Sequence, residues 1–91
     1  MTTRELIKKA EKTPATELTL SERMRIIRHL RGIWQKEAAE AAGVTQAAIS
    51  SYEKNKRTPS VGIIIRLAQL YNCSLDWLCG LSENIGGKKN G

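Results

Sequence analysis

Cysteine is scarce in this chain: Cys73 and Cys79, with five residues between them. That spacing is neither the C-x-x-C of a redox pair nor half of a zinc site, and the one histidine, His29, lies far away. Two reduced thiols are expected, with no metal. Long apolar runs are missing too. Ile63-Ile64-Ile65 is broken at once by Arg66, whereas a membrane helix needs roughly 20 apolar residues. The opening stretch MTTRELIKKAEKT holds no apolar region of the kind a secretory leader needs. A cytoplasmic, nucleoid-associated chain with no membrane partner is expected. Catalytic apparatus is also absent. Ser51, His29 and Asp76 do not make a triad, because nothing places the histidine between the other two. No glycine-rich phosphate loop exists. No enzyme and no cofactor are expected.

Acid is outnumbered. Fifteen Lys and Arg face nine Asp and Glu, giving a formal charge of +6 and a pI near 9.7. That balance favours a polyanionic partner. At 91 residues the chain fits one domain that buries about 60–65% of its unfolded surface.

Sustained apolar/polar alternation is absent, and helical signals follow one another instead. Thr2-Thr3-Arg4-Glu5 fits a capping box, with Leu6, Ile7 and Ala10 as a weak stripe. Residues 1–18 read as an N-terminal helix or arm plus a linker, with the helix ending before Pro14. Thr19-Leu20-Ser21-Glu22 is a second capping box. Leu20, Met24, Ile27 and Leu30 line the following face, and Gly32 closes it. Arg23, Arg25 and Arg31 read as the solvated face. Gln35 to Ala42 is a short helix with Ala38, Ala39 and Ala42 inward. Gly43 supplies a left-handed turn, Thr45 caps a helix from Gln46 to Lys54, and Asn55 tolerates a left-handed conformation. Ser60 opens a helix to Tyr71, and Ser74 opens the last turns, Leu75 to Cys79. The core domain therefore spans 19–82, and 83–91 reads as a flexible tail.

Two short helices joined by a glycine turn form a helix-turn-helix unit. On the second of them, Ala48, Ile49 and Tyr52 share one side. Gln46, Ala47, Ser50, Ser51 and Lys54 share the other. That outer side has neither bulk nor acid, as entry into a DNA major groove requires. Gln46 suits bidentate hydrogen bonding to adenine, and Ala47 suits methyl contact with thymine. Ser50 and Ser51 reach a base or a phosphate, often through water. Lys54, Lys56 and Arg57 suit phosphates, and Gln35 and Thr45 sit where helix starts meet the backbone.

The chain resembles the Cro/cI-type, or XRE-type, helix-turn-helix family from Leu20 to Leu81. The carrying residues are Arg28, Gln35 with Ala39, Gly43-Val44-Thr45 and Ile49-Ser50-Ser51-Tyr52-Glu53. Pro59-Ser60, Leu67-Ala68 and Ser74-Leu75-Asp76-Trp77-Leu78 complete the set. The resemblance implies an all-α, five-helix, lambda-repressor-like domain, here with an added N-terminal helix. It implies operator binding, usually as a homodimer on double-stranded DNA. It implies base contacts at Gln46, Ala47 and Ser51, phosphate contacts at Gln35, Asn55 and Lys56, and an Arg28–Glu53 ion pair. Three positions depart from the family pattern. Trp34 replaces a small capping hydroxyl residue, Ala38 a leucine and Asn55 a glycine. A second class of function stays open beside the repressor: a protein-interaction module, such as an antitoxin or coactivator, with weak DNA binding and with Thr3–Lys12 as its arm.

Overall fold

The computed structural model describes residues 2–87, and among them every regular element is helical. The helices are α1 (Thr3–Lys12), α2 (Leu20–Leu30), α3 (Gln35–Ala42), α4 (Gln46–Glu53), α5 (Val61–Leu70) and α6 (Leu75–Leu78), with a 3-10 turn at Ala15–Glu17. Helix starts follow the local chemistry. Thr2 and Thr19 each accept a backbone N–H three residues on, while Glu5 and Glu22 reach back, so both capping boxes close. Thr45, Ser60 and Ser74 accept from Ala48, Ile63 and Trp77. Helix ends use left-handed residues: Gly32, Gly43, Asn55, Asn72 and Gly80 all have positive φ.

The α3–α4 unit rests on small residues. Ala38, Ala39 and Ala42 are buried, and α3 packs on both α4 and α5. With methyl groups alone at the contact, the helix backbones approach closely. Gly43 turns the chain at φ 72, and Arg66 donates to the Ala42 carbonyl at 3.1 Å, so a cation closes the C-terminal end of α3. The main core joins these alanines to Met24, Ile27, Ile49, Tyr52, Leu67, Tyr71, Trp77 and Leu78. Burial pushes the Cys73 thiol up to about 11. Cys73 and Cys79 are both unpaired thiols, the first buried and the second exposed.

A second, smaller core ties α1 to α2 through Leu6, Leu18 and Ile26. Polar bonds reinforce it. Lys9 meets Glu22 at 2.6 Å, and Glu83 accepts the backbone N–H groups of Ala15 and Thr16 at 2.6 and 2.9 Å.

The solvated arginine face needs correction. Arg23 is buried. Its guanidinium donates to the carbonyls of Leu78 at 2.8 Å and Ala15 at 3.0 Å, and also to Leu18. Carbonyl acceptors from the 3-10 turn and from α6 replace the water that a buried cation loses. A Cβ on Gly80 would come within 2.8 Å of that guanidinium, so the glycine makes room for it. Arg31 donates to the carbonyls of Tyr71 and Asn72, at 2.7 and 3.1 Å, beyond the end of α5. Residues 83–87 also carry contacts where a tail from 83 is expected. Besides the Glu83 bonds, Ile85 packs on the main core and accepts from the Ser74 N–H at 2.6 Å. Residues 88–91 of that expected tail lie outside the described residues.

Candidate nucleic-acid interface

Helix α4 lies over the core on Ala48, Ile49 and Tyr52, all buried. This leaves Gln46 and Ala47 exposed, with Ser50 and Ser51 half-buried beside them. Thr45 is exposed, and its hydroxyl accepts from the Ala48 N–H at 3.1 Å, so α4 starts rigidly capped. At the far end Lys54 closes the helix, and Asn55 turns the chain at φ 59. The N–H groups of Lys56 and Arg57 then donate to the Ser51 carbonyl at 2.9 and 3.3 Å. That fold-back gathers three exposed cations, Lys54, Lys56 and Arg57, at the C-terminal end of α4. The Arg57 guanidinium sits 5.8 Å from the centre of the Tyr52 ring, a cation–π arrangement that steadies its position. The Asn55 side-chain oxygen accepts from the Ser21 hydroxyl at 3.3 Å.

The acid on this helix is neutralised. Arg28 donates to both oxygens of Glu53, at 2.7 and 2.9 Å, with both side chains nearly enclosed. Two parallel N–H bonds to one carboxylate make the pair strong and fix its geometry. Arg28 also donates to the Ile33 carbonyl at 3.0 Å, and the Gln35 amide donates to Glu53 at 3.3 Å. One carboxylate therefore joins α2, the start of α3 and the end of α4. It holds the two arms of the helix-turn-helix in register. Gln35, expected at a phosphate, is half-buried with its amide on this network. The candidate readers and cations thus share one side of the molecule's α4 region, while Gln35 and Asn55 carry internal hydrogen bonds.

A cleft of about 960 Å³ continues from Gln46, Ser50 and Lys54 past Trp34 and Lys36 at the start of α3 to Thr3 of α1 and Arg25 and His29 of α2. Sequence reasoning missed this extension. Arg25, placed on the solvated face, donates to the Thr3 hydroxyl at 3.4 Å across the α1–α2 contact. Burial, together with the neighbouring Arg28 charge, holds the His29 pKa below the ordinary histidine value. The signal available in the sequence was Trp34 itself, a bulky residue at a cap position. Among the described residues no three His, Cys, Asp or Glu side chains gather as a metal site, and no helix is long and apolar enough to cross a membrane.

Comparison with known proteins fits this architecture. The model of the helix-turn-helix family matches residues 24–78. The HTH-type transcriptional regulator ImmR of Bacillus subtilis is 36% identical over 66 residues, which cover 72% of this chain and 52% of that protein. The HTH-type transcriptional regulator PuuR of Escherichia coli is 36% identical over 58 residues, covering 64% of this chain and 31% of that protein. The chain thus spans about half or less of the length of these relatives. The match covers α3, its glycine turn and α4 together with the helices that pack on them, and the chain belongs to the Cro/cI-type helix-turn-helix family.

Proposed function

We propose that this chain is a DNA-binding transcriptional regulator that places α4 in the major groove of an operator. The observation that carries the reading is the outer face of α4. It presents Gln46, Ala47, Ser50 and Ser51 without bulk, its one acid is locked to Arg28, and three cations follow it. Gln46 reads a base edge, and Ser50 and Ser51 reach bases or phosphates. Lys54, Lys56 and Arg57, with Thr45 at the start of α4, fix the dock on phosphates, and Gln35 keeps a second amide N–H for one beside its bond to Glu53. The names of its relatives point to transcription regulation, a non-enzymatic role.

The regulator acts as a homodimer on a pseudo-palindrome, and it represses. Exposed Val61 and Ile65 on α5, with exposed Leu75 on α6, offer an apolar surface for the second copy. Its place of work is the cytoplasm, at the nucleoid. Selection from random duplex DNA tests the reading. The expected product is a two-fold-related consensus with half-sites about one helical turn apart. An unenriched pool would remove the operator-binding reading. Arg57→Ala should weaken binding to all sequences alike and lower the salt slope by about 1; a loss confined to one sequence would contradict a phosphate role.

A further inference from the structure

Trp34 is 75% exposed at the start of α3. The indole has no acceptor, so it cannot cap the helix as a hydroxyl would. The capping help at this end is the Glu37 carboxylate, which accepts the Trp34 backbone N–H at 3.2 Å. Neither core packing nor helix capping accounts for so large an apolar side chain in water. Its surroundings do. Trp34 lines the same cleft as Gln46, together with Arg25, His29 and Lys36. Four cations border that cleft, Arg25, Arg28, Lys36 and Lys54, against the carboxylates of Glu37 and Glu53. Glu53 is bound by Arg28, and Glu37 is turned to the Trp34 N–H. The cleft is therefore positive and runs into the face that carries the candidate base readers.

We propose that Trp34 anchors one strand of the DNA backbone beside the groove that α4 enters, and that the cleft receives that strand. The ring packs on a deoxyribose and Nε1–H donates to a phosphate oxygen, while Arg25 and Lys36 supply the charge. An indole suits this partner because it joins an apolar face to a single donor. A nucleotide backbone offers the complement, an apolar sugar beside an acceptor-only phosphate. The contact is independent of sequence. It rests on the DNA-binding reading above, and it gives α1 a role, since Thr3 at the start of that helix forms one wall of the cleft.

The two tryptophans make the test direct, because Trp77 is only 4% exposed. In the free protein acrylamide should quench Trp34 alone. A mixed-sequence duplex at low salt, with binding followed by anisotropy, should protect Trp34 from quenching. Trp34→Ala should weaken that binding about five- to thirtyfold without lowering the melting temperature. Trp34→Phe, which keeps a ring but loses the donor, should fall between. Trp34→Thr supplies a cap and should raise the melting temperature by about 4–8 °C while still weakening binding. Stability and affinity moving in opposite directions is a result that a structural role cannot give. If the duplex binds while Trp34 stays open to acrylamide, or if Trp34→Ala binds as tightly, the anchor is wrong and the α4 reading stands. If no duplex binds the unaltered protein, both fall.

Discussion

The two cores of this molecule are built on different principles. The body around α3, α4 and α5 is held by close packing of many side chains, from alanine to tyrosine and tryptophan, with one enclosed ion pair across it. The smaller core of the N-terminal region has three buried side chains, Leu6, Leu18 and Ile26. Much of its attachment comes from hydrogen bonds: Arg23 to carbonyls, Glu83 to N–H groups and Lys9 to Glu22. Dense packing gives the body cooperativity and a fixed α4. A small core stitched by polar bonds can open by itself. The rigid part holds the candidate readers, and the loosely built part flanks them through Thr3.

Breaking the body should cost most. Arg28→Ala leaves Glu53 buried without its cation, and thermal or urea unfolding should show a loss of about 3–5 kcal/mol. A loss under 1 kcal/mol would mean that Glu53 finds water or another partner. Leu6→Ala strikes the small core. A loss of about 2–3 kcal/mol is expected, confined to α1 and the 3-10 turn in amide hydrogen exchange. Equal acceleration of exchange in α4 would show a single cooperative unit and erase the contrast. Gln46→Ala should leave both cores intact, relax preference at one base pair and cost about 1–3 kcal/mol of binding there. Unchanged affinity and preference would remove Gln46 as a reader.

The smallest effect separates the two regions by pH. The Thr16 N–H, with that of Ala15, holds the Glu83 carboxyl below its ordinary value of 4.5. Burial raises the Glu22 carboxyl, but hydrogen bonds from Lys9 and Thr19 outweigh it and the net shift is downward. Both contributions are present above the unfolded pKa and are lost as pH falls through the depressed folded values. The N-terminal region should therefore loosen in acid before the body does. Amide NMR signals of Ala15 and Thr16 should report it, and Glu83→Gln should remove their part of the acid transition. Simultaneous loss of all signals would contradict separate opening.

Most of the helix boundaries were legible because their causes are local. A threonine with glutamate three residues on, a serine before an apolar stripe, and a glycine or asparagine in a left-handed turn act within a few residues of themselves. The face of α4 was legible for the same reason: a 100° step sorts Ala48, Ile49 and Tyr52 from Gln46, Ala47 and Ser51. The role of Arg23 was not. A helix wheel places Arg23 outside the stripe, but its acceptors belong to residues 15, 18 and 78, and no pattern in the sequence says that those carbonyls converge. Glu83 and Ile85 likewise gain partners only when the chain returns beside the 3-10 turn and α6.

The sequence by itself determined where helices begin and end, the apolar side of α4, and the positive balance of the surface. Those follow from backbone preference, period and charge, which need no neighbour. It did not determine the full buried face of α2, where Leu30 of the expected stripe is exposed and Ile26 is buried. Only the tertiary structure decided which cations are spent inside and which stay outside. It turned Arg23 inward onto carbonyls, whereas the inward turn of Arg28 onto Glu53 was already implied by the family resemblance. It left Lys54, Lys56 and Arg57 beside α4, and it set Trp34 in the cleft with Gln46. A long flexible cation takes its direction from acceptors that folding brings to it, and those are fixed by packing rather than by the residues next to it.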